Sequence, residues 1–194
     1  MGEVRAGLPI LAFADAAAFE SWLAAHGLSA PGLWLKLAKK GAPEPTLTKT
    51  EAIDAALCHG WIDGQLDKYD DHHWLIRFTG RKAGSKWSEI NRTRATELVA
   101  EGRMRPAGIV QIEVAKADGH WDGAYAPAST AGPPPDLVAA LAANPRAAAF
   151  FATLTGANRY AILYRIGAVK KAATRARKIT EFVAMLERGE TIHR

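Results

Sequence analysis

The chain has 194 residues, 48% of them hydrophobic and 23% charged, with a formal net charge of +5. This composition is typical of a globular protein, and the length allows one sizeable domain with a helical appendage. The single cysteine, Cys58, excludes an internal disulfide framework and fits a reducing compartment. Because no apolar run reaches the about 18 residues that a membrane span needs, we expect a cytoplasmic protein without a membrane span.

The first predicted elements are two helices and a strand between them. Asp15 is a suitable N-cap, and apolar residues follow it at helical spacing, so residues 16–26 are predicted as an amphipathic helix. Alternating leucines predict a strand over residues 33–38. Thr48 and Glu51 have the spacing of a capping box, which predicts a second helix directly after Thr48.

The middle of the chain predicts a hairpin followed by helices. Residues 65–69 and 73–79 have the alternation of two strands and are joined by a polar turn. Either Ser85 or Ser88 is expected to cap the next helix. Over residues 109–118 the pattern fits a helix and a strand almost equally well, so both remain open there.

The last third of the chain is predicted to be a linker and a set of helices. Residues 126–135 end in three prolines, which favours a semi-rigid, extended linker. Residues 136–194 have helical patterns and carry 10 Lys and Arg against 4 Asp and Glu. Since about 60 residues of short helices form a thin core alone, we expect this basic segment to dock on an α+β core domain formed by residues 1–125. The predicted fold class is therefore α+β, with a small antiparallel sheet of about three strands flanked by helices.

The densest cluster of unusual residues is the segment 58–64. Its two glycines predict a helix C-cap and a tight turn that fix Trp61 and Asp63. In a functional interpretation, Asp63 is a carboxylate beside an aromatic platform. In the alternative, Asp63 bonds its own turn and Trp61 packs into the core. Because adjacent helical residues point about 100° apart, Cys58 and His59 are not expected to form a nucleophile and base pair.

A second cluster is a basic loop that precedes a predicted helix. Arg77 lies near the end of the second predicted strand, and Arg81 lies in the loop after it. Ser85 is placed at the start of the predicted helix, and Trp87 and Asn91 follow it. Cationic side chains beside the free N–H groups of a helix N-terminus are typical of an anion pocket. A solvated basic loop with an ordinary serine cap explains the pattern equally well.

A third candidate is a basic run in the C-terminal segment. Its residues are Lys170, Lys171, Arg175, Arg177 and Lys178. Such a run suits the phosphates of nucleic acid, but no aromatic residues interleave it, so the solvated face of an amphipathic helix is favoured. The histidines and aspartates of the chain lack the spacing of known metal motifs, so neither a metal nor a cofactor is predicted.

Several motifs follow one another in the order of a known family. They are Phe19-x2-Trp22-Leu23, Leu33-Trp34-Leu35, Ala56 to Gly64, Arg81-x3-Ser85-x-Trp87-Ser88-x2-Asn91, and Arg175-x-Arg177-Lys178-Ile179. In these motifs the chain resembles the bacterial YdeI/OmpD-associated family, also called the bacteriocin-protection family. The resemblance implies an α+β fold with a short antiparallel sheet and a link to envelope stress and protection from bacteriocins. It implies no particular reaction or cofactor.

Our leading hypothesis is a non-enzymatic binding module in bacterial stress or bacteriocin protection. It would hold a small anionic, aromatic or peptide ligand between the turn of Trp61 and Asp63 and the Arg77 to Asn91 loop, because both flank one hairpin. A structure with Trp61 and Trp87 far apart in the core would argue against it. The alternatives are an enzyme with Asp63 as general base and Arg81 as anion clamp, and nucleic-acid binding through the C-terminal basic run.

Overall fold

The computed structural model describes residues 2–27 and 29–193. Their internal contacts divide the chain into two units, Met1–Ala124 and Tyr125–Arg194. Unit 1 contains a β-sheet with four helices, and unit 2 consists of helices and their connections. The docking of the helical segment on the core remains a prediction.

Unit 1 is built on a five-stranded mixed sheet. The strands are β1 (Val4–Arg5), β2 (Leu8–Leu11), β3 (Leu33–Ala38), β4 (Trp61–Lys68) and β5 (His73–Gly80). Their order is β1-β2-β3-β5-β4, and β2 and β3 are parallel whereas the other neighbours are antiparallel. The α+β class is confirmed, but the expectation of about three antiparallel strands is wrong.

Two local differences explain the larger sheet. The sequence pattern missed β1 and β2 because they have two and four residues, and Pro9 interrupts the second one. The tight turn predicted around Trp61 and Asp63 is instead the start of β4, since Trp61 pairs with Gly80. Gly60, with a φ of 74°, makes the sharp reversal from the preceding helix into this strand.

Unit 1 contains four helices, and a side chain caps the start of each of the first three. They are α1 (Ala16–His26), α2 (Lys49–Cys58), α3 (Glu89–Ala100) and α4 (Pro106–Ala117). Asp15 caps α1, and Thr48 and Glu51 form the predicted capping box of α2. Ser88 rather than Ser85 caps α3. The ambiguous segment 109–118 lies in α4 and its C-cap, with Ile112 and Ala115 buried at helical spacing.

Two hydrophobic clusters hold these elements together. In the first, α1 and α2 cover one face of the sheet around Phe19, Ile76 and Phe78. In the second, α2, α3 and α4 meet around Leu98 and Ile112. Helix α2 belongs to both clusters, so its C-terminal end lies where the two cores adjoin.

The N-terminal residues cross the opposite face of the sheet. The Trp34 indole donates to the Arg5 carbonyl at 3.1 Å, and the Arg5 guanidinium donates to Asp67 at 2.7 Å. The Tyr69 hydroxyl donates to Glu3. β1 and β4 are the two edges of the sheet, so these contacts show that the sheet curls until its edges meet through residues 3–5. We call these residues the N-terminal arm.

Unit 2 contains four helices around one core. They are α5 (Pro135–Ala142), α6 (Pro145–Thr153), α7 (Gly156–Gly167) and α8 (Ala172–Glu187). The buried face of α8 consists of Ile179, Phe182 and Leu186, as its periodicity predicts. Arg175 of α8 donates to both carboxylate oxygens of Asp136 of α5, at 2.5 and 2.9 Å, and so ties two helices together.

Candidate functional site

Both predicted aromatic site residues are buried, and they lie in different cores. Trp61 is 1% exposed within the first cluster, and its indole donates to the Gly27 carbonyl at 3.0 Å. Trp87 is 3% exposed in the second cluster, where its ring meets Trp121 edge to face. Neither indole presents an exposed face on which a ligand can stack. The structure therefore does not support the prediction of an aromatic surface for ligand binding beside Asp63.

Asp63 and Arg77 point to opposite faces of the sheet. Asp63 is opposite Phe78 in the β4–β5 register, and Arg77 is the next residue, whose side chain alternates to the other face. The Asn91 amide donates to Asp63 at a long 3.5 Å, which joins β4 to the first turn of α3. Arg77 is exposed and opposite Trp34, on the face that the N-terminal arm crosses.

The loop after β5 is organised by Arg81. Its guanidinium lies 3.6 Å from the centroid of the Trp87 ring and donates to the Lys86 carbonyl at 3.2 Å. The Ser85 hydroxyl accepts from the Lys82 backbone at 2.9 Å and so shapes the loop rather than capping α3. The structure therefore brings Arg81, Ser85 and Trp87 together, as part of one folded loop.

Two adjoining cavities form a groove along α1. The larger one, of about 600 Å³, lies between α1 and the start of α4, and the smaller one, of about 340 Å³, continues towards Arg81. Gly27, His59 and Ala107 line both. We call this feature the α1–α4 groove. Its wall and floor residues are Ala17, Glu20, Ser21, Leu23, Ala24, Gly27, Ala30, Pro31, His59, Gly60, Trp61, Gly80, Arg81, Lys82, Arg105, Pro106, Ala107 and Gln111.

The charges of the groove are unevenly distributed. At the larger cavity, Arg105 and Glu20 approach to 3.8 Å and offset each other. The smaller cavity is lined by Arg81 and Lys82, with no acidic side chain among its described lining residues. The groove is therefore apolar and charge-balanced at one end and positive at the other.

His59 lies at the junction of the two cavities. Its Nε2 is buried and has no hydrogen-bond partner within the described part of the chain. Burial lowers the pKa of the ring, so the imidazole is neutral at pH 7. A neutral imidazole carries one donor and one acceptor, and a buried ring nitrogen without a partner is a position that a ligand can satisfy.

The floor of the groove depends on the close approach of two helix ends. A Cβ atom at Gly108 of α4 would lie 2.5 Å from the Cys58 carbonyl oxygen, and one at Gly60 would lie 2.8 Å from the Ala107 carbonyl oxygen. The Arg105 backbone also donates to the Cys58 carbonyl at 3.1 Å. The start of α4 is thus held against the end of α2, which fixes Arg105 and Ala107 in the groove.

The basic run of unit 2 is only partly available to a partner. Arg175 is engaged by Asp136, and Arg177 lies 3.6 Å from Glu181. The Lys178 ammonium lies over the Phe182 ring, 5.6 Å from its centroid. Lys170 and Lys171 are exposed immediately before α8.

Most groove residues were not singled out by the sequence patterns. Glu20, Arg105 and Gln111 are ordinary helical polar residues in the sequence, and their meeting depends on how α1 and α4 pack. In the sequence, His59 was considered only as a base for Cys58 and was rejected in that role, and only its position at the end of a predicted helix beside a glycine pointed to a special role. Within the described residues, side chains of His, Cys, Asp and Glu form no group of three or more that suits a metal ion.

The groove lies within a region that matches a known family. Residues 11–111 match the family described as "Domain of unknown function (DUF8412)", which is just over half of the chain. The chain belongs to this family. The DUF8412 match runs from the end of β2 into α4 and includes every residue that lines the α1–α4 groove.

A second family matches unit 2. Residues 130–189 match the family described as "Bacteriocin-protection, YdeI or OmpD-Associated", which confirms the resemblance seen in the sequence. The motifs between residues 19 and 91 that also supported this resemblance lie in the DUF8412 match instead. No curated protein and no solved structure matches the chain significantly. Across residues 2–27 and 29–193, no helix combines the length and the apolar character needed to cross a membrane.

Proposed function

We propose that this DUF8412 member is a non-catalytic binding module of a bacteriocin-protection type, whose α1–α4 groove takes an anionic ligand with an apolar body. The observation that carries the proposal is the groove itself, whose two cavities of about 600 and 340 Å³ have the size of small-molecule sites. A similarity of unit 2 to bacteriocin-protection proteins supports the biological setting.

The groove chemistry favours one orientation of such a ligand. Its anionic group would lie at the positive end, near Lys82 and the Gln111 amide. Its apolar body would extend along Leu23, Ala24 and Pro106 in the larger cavity. The buried nitrogen of His59 would take a hydrogen bond from the part that crosses the junction.

A catalytic role has weaker support than binding. Asp63, the general base of the enzyme hypothesis, lines neither cavity of the groove, whereas Arg81 does. Cys58 is buried, and desolvation raises the pKa of its thiol, so the thiolate that a nucleophile needs is disfavoured. The residues brought together at the groove are suited to holding a ligand rather than to activating one.

The test is a fluorescence titration with anilinonaphthalene sulfonate, a probe that combines an anion with an apolar body. Lys82→Glu should weaken its binding about tenfold, because it replaces attraction by repulsion at the positive end. Ala24→Phe should weaken it by filling the larger cavity. Matched controls are Lys40→Glu and Ala25→Phe, which alter exposed residues outside the groove lining and should bind the probe as the unaltered chain does. Equal affinity in the test and control variants would overturn the proposal.

A further inference from the structure

The middle of the α1–α4 groove contains a hydrogen-bonding atom that is not used within the protein. The Nε2 atom of His59 is buried without a partner among the described residues, and the ring lines both cavities. Buried polar atoms are nearly always paired in proteins, because an unpaired one costs at least as much as a lost hydrogen bond. This atom therefore points to a polar group of the ligand at the junction.

The charged neighbours of His59 do not take up this atom. Glu20 and Arg105 act on the pKa of the ring through their charges, in opposite directions, and neither forms a hydrogen bond with Nε2. Glu20 instead faces Arg103 and Arg105, each at 3.8 Å. Because the ring is neutral at pH 7, its natural partner at the junction is a neutral polar group and not a second ion.

The groove has different chemistry on the two sides of His59. On one side, Leu23, Ala24 and Pro106 form an apolar wall of the larger cavity. On the other side, Lys82 and the amide of Gln111 line the smaller cavity. A ligand that lies along the groove therefore meets an apolar surface, then one hydrogen-bonding nitrogen, and then a cationic end.

We infer that the α1–α4 groove binds an N-acylated amino acid, in which one amide joins an acyl chain to a carboxylate. The inference rests on the proposed function and names the class of its ligand. The carboxylate would lie near Lys82 and Gln111, the amide at His59, and the acyl chain along Leu23 and Ala24.

An amide suits the junction for two reasons. It offers both an N–H donor and a carbonyl acceptor, so it can pair with Nε2 of His59 in either neutral tautomer. A hydroxyl group can do the same, but the planar amide also keeps the chain extended on both of its sides. The groove requires this, since it continues past His59 in both directions.

A longer peptide fits the same groove less well. The lining residues of α1 run from Ala17 to its C-cap Gly27, a helix length of about 15 Å. An extended peptide of that length would bring an amide about every 3.4 Å, and each amide needs a partner. The larger cavity is poor in such partners, because Glu20 and Arg105 already face each other there. A single amide followed by an acyl chain avoids this cost.

The experiment is calorimetric titration of the full chain at pH 7.5 with N-octanoylglycine and with undecanoate. The two probes have the same chain length and the same charge, and only the first contains an amide. His59→Leu should weaken N-octanoylglycine about tenfold, because the amide then lies in the junction without a partner. It should bind undecanoate at least as tightly as the unaltered chain does, which also shows that the groove is intact.

Two further variants are the matched controls. His59→Gln keeps a donor and an acceptor at the junction and should bind N-octanoylglycine within about threefold of the unaltered chain. His72→Leu makes the same replacement at an exposed histidine outside the groove lining and should change neither affinity.

Unchanged binding of N-octanoylglycine by His59→Leu, or equal losses for both probes, would overturn the inference. Tighter binding of an acetylated tetrapeptide that ends in leucine would overturn it in favour of a peptide C-terminus. If anilinonaphthalene sulfonate binds in the groove and N-octanoylglycine does not, the inference fails and the proposed function stands. If none of these probes binds, both fail.

Discussion

Gly108 is the residue at which a single methyl group should disturb unit 1 most directly. It lies in the first turn of α4, against the C-terminal end of α2. In Gly108→Ala the new Cβ atom would lie 2.5 Å from the Cys58 carbonyl oxygen and 2.8 Å from that of Leu57. It would also lie 2.4 Å from the sulfur of Met104, but that side chain can rotate away. The two carbonyls belong to the α2 backbone, so relief requires the helices to separate.

The size of the effect follows from two opposing contributions. Overpacking of a well-packed contact costs about 1–3 kcal/mol. Replacing a helical glycine by alanine gains up to about 1 kcal/mol through helix propensity and reduced freedom of the unfolded chain. Because the clashing atoms at 2.5 and 2.8 Å are backbone oxygens, the cost of overpacking should lie in the upper part of its range, at about 2–3 kcal/mol. We therefore expect Gly108→Ala to lower the free energy of unfolding by about 1–2 kcal/mol, whereas propensity alone would raise it.

Urea unfolding followed by tryptophan fluorescence is the suitable assay. All six tryptophans lie between residues 22 and 121, so their emission reports on unit 1 alone. Gly64→Ala is the matched control, because Gly64 is exposed in β4 and the nearest atoms to its Cβ position are 3.6 Å away. The control should stay within about 0.5 kcal/mol of the unaltered chain. Equal or greater stability of Gly108→Ala would refute the close approach of α4 to α2.

Three further predictions concern buried or paired charges. Asp54→Ala removes the carboxylate that accepts hydrogen bonds from Arg94 at 2.7 and 2.8 Å. It should lower the free energy of unfolding in urea by about 2–3 kcal/mol, less than for a fully buried pair because Arg94 is partly exposed. A decrease below about 0.5 kcal/mol would contradict this prediction. Hydrogen bonds from Arg175 lower the pKa of Asp136, so unit 2 should lose stability as the pH falls below about 4. Arg175→Ala should make this dependence shallower in circular dichroism without abolishing it, because hydrogen bonds from Arg188 also lower the pKa of Glu190. Burial lowers the pKa of His59 in the folded state. Its contribution to the stability of unit 1 is therefore present above about pH 6.5 and is lost as the pH falls through the folded-state pKa. His59→Gln should flatten this part of the plot of urea midpoint against pH, and an unchanged plot would show that other groups cause the dependence.

The sequence predicted those elements whose signals are local. The bounds of α1 and β3 are as expected, because an N-cap aspartate and alternating leucines act within their own segments. β1 and β2 are stabilised by pairing with each other and with β3, and two to four residues hold too little pattern to show this. Trp61 is likewise in a strand because β5 is available to pair with it, which two flanking glycines do not reveal.

The candidate site was harder to predict because it depends on packing and register. The sequence placed Asp63 and Arg77 near one hairpin, but the pleat sends their side chains to opposite faces. Arg81 and Trp87 meet as expected of one loop, yet the loop encloses the indole. The groove combines residues 17 to 111 from two helices, two strands and the turns beside them, and no single segment carries its pattern.

The N-terminal arm has a consequence for the time order of folding. Its partners Asp67 and Tyr69 follow it by 62 and 66 residues, so these contacts have a high contact order. At the usual rate of synthesis, of about 5–20 residues per second, the arm leaves the ribosome about 3–13 s before its partners leave it. The N-terminal arm can therefore join the two edges of the curled sheet only after β4 has been made, so this contact belongs to a late step of folding.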